Sequence, residues 1–157
     1  MRSLQSGNTE VVPMFSVTRK VEYALIGLAH IAAQPPGTIV TVREIAEQYR
    51  IPGKLLAKIF HELKSAQLLR SHQGKNGGYS LARVSAEMTL ANVADVIEGR
   101  SPVVTCSDDE GYHCPQSENC NIVQPMEQLN CRLRGFLESV TLRDFVANKT
   151  LPLSSQM

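Results

Sequence analysis

The stretch CSDDEGYHCPQSENC, residues 106–120, gathers three of the chain's four cysteines among acids and polar residues. Thiolates are soft ligands for iron and zinc, and thiols in an exposed polar loop are open to oxidation. Seven residues separate Cys106 from Cys114, five separate Cys114 from Cys120, and ten more lead to Cys131. Structural zinc sites are usually built on close Cys-x2-Cys pairs, and none occurs here. Three readings stand side by side: an iron-sulfur cluster, a zinc site, and a cluster-free thiol switch. An iron-sulfur cluster usually needs four ligands or a substitute. His113 adjoins Cys114, and Cys131 is a further candidate. Its place between Leu129 and Leu133 instead suggests a buried structural thiol.

The segments around this loop must position it. TRKVEYALIGLAHIAAQ puts Val21, Leu25, Leu28 and Ala32 on one helical face, with Thr18 as N-cap, and PPGT at 35–38 ends the helix. In TVREIAEQYRIPGKLLAKIFHELKSAQLL, Thr41 caps a helix whose inner side is Val42, Ile45 and Ala46. RIPG then breaks the pattern before a second helix carrying Leu55, Leu56, Ile59, Phe60 and Leu63. Two helices around a short breaker read as a helix-turn-helix. LLRSHQGKNGGYSLAR follows as strand, turn and strand, its Gly74, Gly77 and Gly78 permitting positive backbone angles. A basic hairpin after a helix-turn-helix is a wing. Lys75 sits at its tip, and the amides near Gly77 and Gly78 are expected to approach phosphates. GKNGG lacks the spacing and following helix of a nucleotide-binding phosphate loop.

Beyond the wing, Thr89 caps a short helix. After the cysteine loop, Ile122, Met126, Leu129, Leu133, Phe136 and Val140 recur at spacings of four and three, a heptad seam that needs a covering surface. Thr141 is expected to cap a short terminal helix.

Composition bounds these readings. A chain of 157 residues with 43% hydrophobic content, 5% aromatics and no Trp suits one aliphatic, mainly helical domain with an appendage. No segment reaches the ~18 apolar residues of a membrane span, and the first thirteen residues have no signal-peptide core. A cytoplasmic protein with no membrane partner is expected, and in a reducing compartment cysteines serve metals or redox chemistry more often than disulfides. Residues 15–100 carry eleven Lys and Arg against seven Asp and Glu, whereas residues 101–157 carry four against seven. The basic half suits a polyanion and the acidic half a different task. An enzyme is not expected. His61 and Glu62 point to different helix faces, and no nucleophile motif appears.

With these residues placed, the chain resembles the IscR- and NsrR-like regulators of the Rrf-two superfamily of winged-helix transcription factors. VTRKVEYAL, the helix-turn-helix, GKNGGYSLAR, MTLANVADVIEG, the cysteine triplet and SVTLRDFV carry the likeness from about Phe15 to Asn148. The resemblance implies a mainly α fold: a winged helix-turn-helix domain with a small two-stranded β wing, plus a long C-terminal dimerisation helix. The expected division is a disordered extension at 1–14, with Met14 a candidate start; the DNA-binding domain at 15–100; a cluster-binding loop at 101–121; the dimerisation and terminal helices at 122–149; and a tail at 150–157.

The resemblance further implies a homodimer on a near-palindromic double-stranded DNA operator. It implies an iron-sulfur cluster held by Cys106, Cys114 and Cys120, in a loop enlarged between its first two cysteines. Where relatives place a His after the third cysteine this chain has Val123, which cannot ligate. Some relatives recruit a carboxylate from the first helix of the partner subunit, and Glu22 falls at that position. Thr41, Lys54, Lys58, Gln73, Lys75, Asn76, Gly77, Gly78 and Tyr79 form the expected DNA-contacting set. Ala57 and Gln73 stand where several relatives have Glu and Arg, so operator preference does not transfer. The resulting expectation is a regulator sensing redox, iron or nitric-oxide-type signals. The alternatives are a zinc-binding or cluster-free thiol regulator, or an iron-sulfur assembly or interaction module that does not bind DNA.

Overall fold

The computed structural model describes residues 17–100 and 114–147. Helix α1 spans Arg19–Ala32, α2 Val42–Tyr49 and α3 Gly53–Ser65. Strands β1 (Leu69–His72) and β2 (Gly78–Leu81) form an antiparallel hairpin, followed by α4 (Leu90–Glu98), α5 (Val123–Ser139) and α6 (Leu142–Val146). The fold is mainly helical with a two-stranded wing. Among the described residues no helix is long and apolar enough to cross a membrane.

Local chemistry sets the helix starts. Thr18 Oγ1 accepts from the Val21 amide, and Thr41 and Glu44 form a reciprocal capping box, as do Thr89 and Asn92. At α6 the Asp144 carboxylate accepts from both the amide and the hydroxyl of Thr141. The turn between α2 and α3 is made by Arg50, in the left-handed region at φ 54°, with buried Ile51 behind it.

One aliphatic core serves these helices. Phe60, Leu56, Ile59 and Leu63 of α3 pack with Leu28, Ile45, Val93 and Met88, all nearly inaccessible. The α1 face is centred on Val21, Ala24, Leu28 and Ile31, with Leu25 and Ala32 only half-buried at its edge. At Gly27 a Cβ would come within 2.6 Å of the Phe60 ring, so glycine lets α1 close onto α3. A bridge from Val40 to Tyr79, with hydrogen bonds of 2.9 and 2.8 Å, fastens the wing to the segment before α2.

The chain returns to this core at its far end. Leu90 N donates to Val140 O and Leu142 N to Met88 O, both at 2.8 Å, and Val140 and Leu142 are buried. Val140 is therefore a core residue of the winged domain rather than the last member of an intermolecular seam. The seam divides for a geometric reason. Helix α5 has 17 residues and α4 has 9, about 25 Å against about 13 Å of axis. The end of α5 lies along α4, where Phe136 and Leu137 pack against the core, while its beginning overhangs. There Ile122 is 54% and Leu129 40% exposed.

Candidate nucleic-acid interface and cysteine site

Helix α3 presents Lys54, Ala57, Lys58 and His61 to solvent at i, i+3, i+4 and i+7, one stripe opposite the buried Leu56, Ile59, Phe60 and Leu63. Sequence reasoning placed the two lysines there but missed His61, which the spacing of seven from Lys54 would have found. No side chain caps the start of α3, and its first turn has no acid. The positive end of its dipole and the free amides of Gly53, Lys54 and Leu55 suit a phosphate. At the start of α2, by contrast, Thr41 is engaged. Its hydroxyl donates to Glu44 and accepts from the Glu44 amide, both at 3.2 Å.

Gln73, Lys75 and Asn76 are exposed at the wing tip. The glycines around them differ from expectation. Only Gly74 has positive φ, at 111°. Gly77 donates its own N–H to Gly74 O at 3.0 Å, so this amide closes the turn instead of facing a phosphate. A Cβ at Gly77 would meet His72 O at 2.6 Å, and one at Gly78 would meet Val40 O at 2.5 Å. Both are glycine because backbone passes close by. Tyr79 turns inward, its ring edge-on to Phe60 with centroids 5.2 Å apart, and so couples the wing to α3.

Of the proposed cluster ligands, Cys114 and Cys120 are half-buried free thiols on either side of a single 3-10 turn, Ser117–Asn119, just before α5. Cys114 Sγ lies 3.4 Å from Gln116 Oε1, a weak neutral contact that a ligating thiolate could give up. Cys106 and His113 lie outside the described residues. Among the described residues no three His, Cys, Asp or Glu side chains gather into a metal-binding group.

Cys131 is exposed, contrary to the expectation of a buried structural thiol. At 100° per residue it lies about 160° around the helix from both Leu129 and Leu133. It shares a polar face with Gln124, Glu127, Gln128 and Arg132. Glu22, in the first turn of α1, accepts from Arg19 Nη1 at 2.9 Å, with its side chain 42% exposed. Thr18 Oγ1 donates to Glu98 at 2.6 Å, which sets the start of α1 beside the end of α4, where the cysteine loop departs.

The Rrf2 family model, described as an iron-dependent transcriptional regulator, matches residues 17–148. A Mycobacterium tuberculosis protein whose name places it with the HTH-type transcriptional regulators is 33% identical over 140 residues, 87% of this chain and 83% of that protein. NsrR of Bacillus subtilis is 27% identical over 133 residues, covering 85% of this chain and 91% of NsrR. Among solved structures, CymR, the global cysteine regulator of B. subtilis, superposes with TM-score 0.68 at 21% identity, over 87% of this chain and 100% of CymR. IscR of T. potens gives 0.61 at 21% identity, over 92% and 95%. At that identity the two structures establish the fold.

Proposed function

This chain belongs to the Rrf2 family of transcriptional regulators, and from that premise we propose that it is a cytoplasmic homodimer that binds operator DNA and senses a redox, iron or nitric-oxide-type signal through an iron-sulfur cluster. Cys106, Cys114 and Cys120 would hold the cluster, with Glu22 of the partner subunit the candidate fourth ligand. The observation that carries this reading is the pair Cys114 and Cys120, two half-buried thiols flanking one turn at the entry to α5. Their donor chemistry fits iron and sulfide. The bound cluster would supply reversible redox and ligand-exchange chemistry.

The protein's own part is mechanical. The cysteine turn leads straight into the overhanging half of α5, whose exposed Ile122 and Leu129 suit a second copy of the chain. A change in the turn would alter how two α5 helices meet, and with them the spacing of two α3 helices over half-sites about one helical turn apart. Lys54 and Lys58 reach bases or phosphates from α3, while Gln73, Lys75 and Asn76 follow the backbone from the wing. Thr41, Gly77, Gly78 and Tyr79 shape this surface.

Protein purified without air should contain iron and acid-labile sulfide and absorb in the visible. Replacing any of Cys106, Cys114 or Cys120 by Ala should abolish that absorbance and change operator affinity while helicity persists. Glu22→Ala should leave the cluster labile if the carboxylate ligates, and Cys131→Ala should do so if that thiol does. Zinc in place of iron, or operator binding identical in wild type and the triple Ala variant, would refute the cluster. The exposure of Cys131 favours the second reading, a cluster-free thiol regulator, whose operator affinity would respond to oxidant in protein free of metal.

A further inference from the structure

The antiparallel register pairs Arg70 with Ser80 and His72 with Gly78. Side chains alternate along a strand, so Arg70, His72 and Ser80 share the outer face of the wing while Leu69 and Tyr79 turn inward. This outer face, the end of α1 and residues 35–38 wall an open groove of about 540 Å³. Ile31, Ala32 and Val84 give it an apolar lining, and Arg70 and Arg83 stand along it. Both arginines also border an adjoining groove with Lys64.

None of these three cations has an acidic partner at salt-bridge distance among the described residues. His72 is bonded to Ser80 at 2.8 Å. Unpaired cations in a DNA-binding fold usually read as phosphate contacts, but position argues otherwise. Lys64 lies about 15 Å along α3 from Lys54, and Arg70 lies about 13 Å along the strand from the turn at Gly74. They occupy the end of the domain away from the exposed start of α3 and the wing tip.

We infer that this groove binds a small organic anion, its apolar body against Ile31, Ala32 and Val84 and its carboxylate, sulfonate or phosphate between Arg70 and Arg83. The volume falls within the roughly 300–1,000 Å³ of small-molecule sites. Two guanidinium groups without a carboxylate partner present forks matched to an oxyanion, and charge complementarity selects an anion over a neutral compound. Because the site is remote from the α3 stripe, the anion and duplex DNA bind together.

The test titrates 8-anilinonaphthalene-1-sulfonate into the intact chain, with and without a saturating operator duplex. Saturable binding at one site per chain is expected in both cases, with amide shifts concentrated at residues 31–37 and 80–85. Arg70→Gln with Arg83→Gln should weaken the probe at least ~10-fold, the loss of one or more charge-assisted hydrogen bonds, while circular dichroism stays unchanged. Equal affinity in the double variant, displacement by the duplex, or shifts confined to the apolar face of α5 would each overturn the assignment.

Discussion

Arg134 grips Asp95 with both arms of its guanidinium, Nη1 to Oδ1 at 2.7 Å and Nη2 to Oδ2 at 2.6 Å, and so locks α5 to α4 across 39 residues of sequence. Its Nε also donates to Glu138 at 2.8 Å. The Arg134 and Asp95 side chains are each 26% exposed. Removing one partner strands the other, so Arg134→Ala should cost about 1.5–3 kcal/mol in urea unfolding. Arg134→Lys should recover only part of this, because an ammonium cannot reproduce the planar fork. A double-mutant cycle with Asp95→Ala that returned no coupling would dismiss the clamp.

The same pair sets a pH dependence. The Arg134 guanidinium is held above its ordinary value, first by the hydrogen bond with Asp95 and then by that with Glu138. A pKa raised on folding gives stability that is complete below the unfolded value and fades only as pH rises through the folded one. The contribution of Arg134 should therefore be equal at about pH 6 and about pH 9, and a coupling energy that fell between them would contradict this origin.

Two glycines should respond in opposite directions. Gly78→Ala forces a methyl within 2.5 Å of Val40 O, a backbone atom that cannot swing aside. It should destabilise the chain by about 1–3 kcal/mol and lower affinity for all DNA sequences alike by loosening the wing. Gly135 lies within α5, and its Cβ would meet nothing within 4 Å. Gly135→Ala should stabilise the isolated chain by about 0.5–1 kcal/mol through helix propensity. Denaturant midpoints of the two variants check both signs.

The overhanging half of α5 predicts the assembly. Leu129→Glu with Leu133→Glu should yield monomers that keep their helicity and bind a single half-site poorly. An unchanged dimer mass on sedimentation would remove this surface from consideration.

Lys54 and Lys75 should act by separate routes. Lys75→Ala at the wing tip should weaken every duplex equally and reduce the salt slope by about one unit, the signature of one phosphate contact. Lys54→Ala, at the exposed start of α3, should alter preference among operators. Equal losses on all sequences for both variants would erase the distinction.

What the sequence disclosed was mostly local. The caps at Thr18, Thr41, Thr89 and Thr141 were legible because each depends on residues within one turn, and so was the break at RIPG that separates α2 from α3. The solvent stripe of α3 follows from spacing alone. Cys131 was misread although its angle from Leu129 was available from helical geometry. The heptad pattern of α5 gave the apolar face but not its partners, and only the unequal lengths of α4 and α5 divide it between the chain's own core and a surface left open. Gly77 and Gly78 were read as turn formers because a sequence does not show which backbone passes nearby. The Asp95–Arg134 clamp and the grouping of Lys64, Arg70 and Arg83 are non-local, and neither leaves a periodic trace.

The hydrogen bonds that join Leu90 to Val140 and Leu142 to Met88 are the two halves of one bridge between Thr89 and Thr141, so the chain enters α4 and leaves α5 at the same point of the core. A single proteolytic cut between α4 and α5 would free neither piece. Cleaved protein should run as one particle in native conditions and as two fragments only in denaturant.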